Sequence, residues 1–138
     1  MRRRLILCFA AYLCLANFVW FGLGSMNLPK LRRLTAEGVS VIGTVSFTDC
    51  GNHSSVQYWF EANGLVFGGK GIPGFDNPSC KQFQVGYRLS VWYVPADPEI
   101  NTPGDPSYML KNELISVGLA ATMLPAVLVC MVNLRNWH

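Results

Sequence analysis

The run Asp49-Cys50-Gly51-Asn52-His53-Ser54-Ser55 holds a dense group of chemically capable side chains, and Cys80 is the only other cysteine in the polar middle of the chain. Several chemistries compete for it. Cys50-x-x-His53 with Cys80 offers three ligands of the kind zinc takes, but a structural zinc site needs four and no convincing fourth is present. His53 with Asp49, Ser54 and Ser55 contains the residue types of a hydrolytic group. Nucleophile, base and orienting acid, however, normally come from distant parts of a chain. Cys50 and Cys80 are also the two thiols a disulfide needs. In an oxidising compartment the bond would close a loop of ~30 residues and stabilise a small domain by about 3 to 4 kcal/mol. Asp, Gly, Asn and Ser are otherwise ordinary turn formers, and Asn52-His53-Ser54 is formally a glycosylation sequon. The expectation is a Cys50–Cys80 disulfide, with two free thiols or a metal site as the alternatives.

Two other stretches invite a ligand and fit none. Gly68 to Gly74, "GGKGIPG", lacks the Gly-Lys-Ser/Thr order of a phosphate loop, and Ile72-Pro73 stands where the following helix would have to start. Its glycines suit a bulge or bend that curls a sheet. Asp97, Glu99 and Asp105 match no calcium-loop spacing. The net charge of +3 comes from the chain termini, so nucleic-acid binding has no footprint. No catalytic residue, cofactor, metal or small-molecule substrate is expected, and the chain is not expected to be an enzyme.

The elements that carry these residues follow from hydropathy. The chain has 138 residues, 51% hydrophobic and 14% charged. Leu5 to Met26 and Leu114 to Val132 carry no charge, and each is close to the ~20 residues a helix needs to cross ~30 Å of hydrocarbon. They are read as membrane spans at 5–26 and 113–132. A cleaved signal peptide is the rival for the first, given Arg2, Arg3 and Arg4 ahead of it and Gly22-Leu23-Gly24 near its end. The apolar run exceeds a usual signal core of roughly 7 to 15 residues, and Trp20 and Phe21 suit an interfacial belt. Arg2–Arg4 and Arg135 lie outside the spans, while all eight acids lie between Glu37 and Glu113. That places both termini in the cytoplasm and residues 27–112 on the far side, the periplasm.

Between the spans, Leu28, Leu31 and Leu34 repeat at helical spacing after Asn27-Pro29 and before Gly38. Residues 27–38 are read as a short amphipathic connector at the membrane surface, with Lys30, Arg32 and Arg33 on lipid phosphates, or as a solvated connector. From Val39 the period becomes two. Val39, Val41, Gly43, Val45 and Phe47 share one face; Val56, Tyr58, Phe60 and Ala62 form the next strand; Asn63-Gly64 predicts a type I′ turn into "LVFGGKG". Leu89, Val91 and Tyr93 mark the last long strand, which Pro95 ends, and Pro98, Pro103 and Pro106 predict an extended spacer outside any sheet. Four or five such strands are expected to curl into a small antiparallel barrel over 39–106, of SH3/OB-like type, between two transmembrane helices: a membrane α+β fold. Trp59, Arg88 and Trp92 fall on the face opposite the apolar one, either open to a protein partner or packed as a second layer. In the spans Gly22, Gly24, Ser116, Gly118, Ala120 and Ala121 allow close helix approach, and Pro125 predicts a mild kink.

The strand Gly-Val-x-Val-x-Gly-x-Val at 38–45, the aromatic hairpin and Val-Gly-x-x-Leu-x-Val-x-Tyr-x-Pro-x-x-Pro at 85–98, set between two spans, resemble a widespread bacterial family of small membrane proteins. It is known as a domain of unknown function (family three-five-nine-two). The resemblance covers roughly residues 30–132 and implies a β-barrel displayed between two helices, with no catalytic residues to carry across. Cys50 and Cys80 are outside its pattern. The function expected is that of a noncatalytic inner-membrane protein that meets lipid and binds a membrane or secreted protein, as an accessory subunit or assembly factor. An immunity protein against a membrane-acting or periplasmic toxin is the alternative.

Overall fold

The computed structural model describes residues 2–51, 54–74 and 76–135, and side chains at 6–51, 54–74 and 76–132. Asn52 and His53 lie outside the described residues, as do the side chains of Arg2–Arg4 and Arg135 and all of Trp137. The element order is α1 (Arg2–Glu37), β1 (Val39–Asp49), β2 (Ser55–Ala62), β3 (Leu65–Gly71), a 3₁₀ turn (Cys80–Gln82), β4 (Arg88–Val94), β5 (Asp97–Pro103) and α2 (Pro106–Arg135). Two compact units result, one of residues 30–110 and one of 1–29 with 111–138.

In the first unit all five strands form one antiparallel sheet in the order β3-β2-β1-β4-β5. Its two outer strands then come together, which makes the sheet a nearly closed barrel. Alternation makes the core: Val56, Tyr58, Phe60 and Ala62 of β2 point inward to meet Val45, Leu89 and Val91. Phe60 stands at the centre, its ring 5.2 Å from Tyr93 and 5.9 Å from Phe67. The predicted hairpin is present. Asn63 and Gly64 both take positive φ, 53° and 76°, as a type I′ turn requires.

Closure depends on two glycines. A Cβ on Gly69 would collide with the Tyr58 phenol and with Asn101 Oδ1, and one on Gly71 would lie 2.7 Å from Pro103 Cδ. The bare backbone of β3 therefore lies against β5, and the "GGKG" run is a seam of the barrel.

Three sequence expectations are corrected. Asp97–Pro103 is not a spacer outside the sheet; it is β5, paired with β4. The register steps from Val94↔Asp97 to Tyr93↔Asn101, so Pro98 sits in the irregular step, and Pro103 ends the strand. Neither position interrupts a regular ladder. Residues 27–38 are not a helix of their own. Residues 27–37 are the last turns of α1, which passes through Pro29 unbroken, and Gly38 just past it closes the helix by donating to the Leu34 carbonyl at 2.9 Å. The leucine stripe is real, but Leu28, Leu31 and Leu34 are buried in the protein. Phe47 does not continue the inward face of β1. A bulge falls between Val45, opposite Tyr58, and Phe47, opposite Gln57, and turns Phe47 outward.

The second unit is a pair of helices, each long and apolar enough to cross a membrane. Asp105 accepts a 2.7 Å hydrogen bond from the Ser107 amide and Pro106 opens α2, an arrangement suited to a helix start. Val117, Ala121 and Pro125 of α2 are buried, as are Gly24 and Leu28 of α1. A Cβ on Gly24 would meet Leu28 and Val117, and one on Gly118 would meet the Trp20 ring. Gly24, Gly118 and Ala121 thus serve close packing, whereas Gly22 and Ser116 face outward. Asn27 donates to Glu113 Oε1 at 3.0 Å across the pair.

Candidate partner-binding face

The site is built from the disulfide outward. Cys50, just past β1, is bonded to Cys80 of the 3₁₀ turn, with Cα atoms 5.5 Å apart across a sequence separation of 30. The bond removes both thiols as metal ligands and ties the β1–β2 loop to the long β3–β4 connection. That connection is held at two further points. Phe83 is buried, with its ring edge-on to Tyr87 at 5.3 Å. The Asn77 amide accepts from the Ser90 N–H at 2.9 Å and donates to the Ser90 carbonyl at 3.0 Å, imitating a strand neighbour beside β4.

Below this staple, Gly86 takes φ 88° and donates to the Val45 carbonyl, while the Val45 amide donates to Tyr87. β1 is pinned on its β4 side at the point where its β2 side bulges. The consequence is a row of outward side chains. Trp59 of β2 and Arg88 of β4 both stand opposite Thr44 of β1. With strands ~4.8 Å apart, the two lie about 10 Å from each other. Phe47 lies opposite Gln57 in the neighbouring row, and Lys70 stands opposite Gln57 from β3. Gly68, opposite Trp59, leaves the indole without a flanking side chain on that strand. Phe47 is 53% exposed, Trp59 43%, and Ile42 and Val66 are exposed at the same surface.

Sequence reasoning named Trp59, Arg88 and Trp92. The structure brings the first two into one row and leaves the third apart. Trp92 pairs with Ser40 and Thr102, four residues along β4 from Arg88, and is half-buried. Its neighbour Thr102 is buried and donates to Met109 Sδ of α2 at 3.3 Å, so this end of the face is covered by the chain itself. Phe47 was missed because plain alternation assigns it to the core; the visible clue is Gly86, in the turn just ahead of β4, which bonds the Val45 carbonyl where the bulge begins.

The three basic residues near the end of α1, Lys30, Arg32 and Arg33, also separate. Arg33 bonds Asp97 Oδ2 at 3.3 Å and Glu37 Oε2 at 3.4 Å. It anchors the end of α1 to the start of β5 and is not a free cation for lipid. Lys30 and Arg32 are exposed and carry no ion pair among the described residues.

No family model, no curated protein and no solved structure matches the chain.

Proposed function

We propose that the chain is a noncatalytic bacterial inner-membrane protein whose barrel, of OB-like type in the periplasm, binds a protein partner through the face that carries Phe47, Trp59 and Arg88. The observation that carries this reading is that row: two large aromatics and a guanidinium, open on a rigid, covalently stapled sheet. The two aromatics lose little conformational freedom on docking, and all three residue types are enriched where interfaces concentrate their energy. The cyclic neighbour order β1-β2-β3-β5-β4 supports the OB-like assignment.

Membrane placement is supported by large apolar side chains that the chain leaves bare on both helices: Phe18 at 77%, with Phe21, Leu7, Leu119 and Met131. In water each would oppose solubility, and in hydrocarbon each is solvated. The disulfide supports an oxidising compartment for the barrel, and with both termini in the cytoplasm Lys30 and Arg32 reach lipid phosphates. The resemblance to the three-five-nine-two family agrees with this architecture.

The test is site-specific photocrosslinking in living cells. A photoreactive residue at Ile42, beside Trp59, is expected to give one discrete protein adduct that Trp59→Ala or Arg88→Ala abolishes. Adducts that persist in both variants would count against this face. If the single adduct is with a co-encoded toxin, the partner is a toxin and the accessory role gives way to immunity.

A further inference from the structure

Asn17 places an amide inside the uncharged run Leu5–Met26. Its Nδ2 donates to the Leu13 carbonyl of its own helix at 2.8 Å. Among the described residues nothing takes its second N–H or donates to its Oδ1, and the side chain is exposed. It borders a groove of about 250 Å³ between α1 and α2, lined by Ala16, Asn17, Trp20, Gly118, Ala121 and Thr122. The hydroxyl there is already satisfied, for Thr122 turns it back to the carbonyls of Gly118 and Leu119, both at 3.0 Å, and the Trp20 indole can only donate, so it answers at most the acceptor half of the amide.

We infer that this face is filled by a second copy of the same chain, in a twofold contact in which the two Asn17 amides hydrogen-bond to each other. The inference rests on the membrane placement proposed above. In hydrocarbon no water is available to satisfy an amide, and leaving one unmatched is strongly unfavourable. An amide presents a donor and an acceptor side by side, so a second amide answers both at once. A twofold axis sets a residue opposite itself, which makes Asn17 self-complementary without any further polar residue. Ala16 and Gly118, small and only partly covered at the groove, leave the room in which a neighbouring helix comes close enough for that contact. A lipid tail fills the groove but leaves the amide unmatched.

The test uses the full chain with carboxy-terminal donor or acceptor fluorescent-protein fusions, in phosphatidylcholine–phosphatidylglycerol vesicles, with energy transfer followed against the protein-to-lipid ratio. Native membranes are first washed with alkaline carbonate. Retention in the pellet, saturable transfer of a dimer, association weakened about three- to thirtyfold by Asn17→Leu and maintained by Asn17→Gln would support the inference. Trp59→Ala should leave the transfer unchanged. Release by carbonate would overturn the membrane reading and this inference with it. Retention without transfer, or transfer equal in Asn17→Leu, would overturn the dimer alone. So would crosslinking at this face to an unlike membrane helix in place of a second copy.

Discussion

The Tyr58 hydroxyl donates to Asn101 Oδ1 at 2.7 Å in the barrel interior and joins β2 to β5, strands that do not pair in the sheet. The same amide donates through Nδ2 to the carbonyls of Pro98 at 2.9 Å, Glu99 at 3.2 Å and Gly68 at 3.4 Å. One side chain therefore shapes the irregular start of β5 and closes the seam to β3.

Removing the hydroxyl should be costly out of proportion to its size. Tyr58→Phe leaves Asn101 Oδ1 buried without its donor, and an unmatched buried acceptor costs about 1 to 3 kcal/mol. Chemical denaturation of the full chain in mild detergent, followed by the fluorescence of Trp59 and Trp92, should show a loss in that range.

The same phenol gives the barrel a limit at high pH. Burial pushes its ionisation well above the ordinary tyrosine range, so the folded state favours the neutral form. The unfolded chain ionises near pH ~10. The contribution is complete below that pH and declines as pH rises above it. Denaturation midpoints measured from pH 8 to 11.5 should fall more steeply in the native sequence than in Tyr58→Phe; parallel curves would contradict this.

Replacing Cys50 and Cys80 together by alanine should lower stability by about 3 to 4 kcal/mol, the chain-entropy value for a loop of this length. The effect should concentrate in the staple, with faster amide exchange over residues 76–87 than at the Asn63-Gly64 turn. Alkylation that modified both cysteines without prior reduction would refute the bond.

At the seam, Gly71→Ala should destabilise the barrel by about 1 to 3 kcal/mol, the usual range for overpacking, because its Cβ would press on the Pro103 ring. Gly51→Ala, with nothing near its Cβ, is the matched control and should change little.

The Arg33–Asp97 pair should matter much less. Both side chains are about two-fifths exposed, 39% and 43%, and exposed ion pairs are worth roughly 0 to 1 kcal/mol. A double-mutant cycle with Arg33→Ala and Asp97→Ala should give a coupling in that interval, smaller again at high salt.

Local chemistry made part of this fold legible. Asn63-Gly64 named its turn because few residues tolerate two positive φ values in succession, and the alternation of β2 predicted every inward residue from Val56 to Ala62. The two apolar runs and the cysteine pair were equally plain. What could not be read required knowledge of a partner strand. Proline density argued against β5, yet Pro98 and Pro103 occupy the positions where the ladder is irregular or ends. Phe47 was assigned inward because nothing in β1 itself marks the bulge. Lys30, Arg32 and Arg33 read as one basic patch, and Glu37 one turn on, with Asp97 distant in sequence, separates Arg33 from the others. Trp59 and Arg88 were recognisable by type, while the exposure of Trp59 and the cover over Trp92 depend on Gly68 and Thr102 across the sheet.

The bulge in β1 also has a genetic meaning. Between Val45 and Phe47 the strand carries one residue more than β2 opposes, so loss of the Ser46 codon would leave Phe47 opposite Gln57 and still facing outward. Loss of any codon from Val41 to Val45 would instead draw Ser46 into the inward place of Val45 opposite Tyr58 and exchange inside and outside for whatever lies between the gap and Ser46. In this chain Ser46 is the residue whose in-frame loss keeps Val45 inside and the aromatic outside at once.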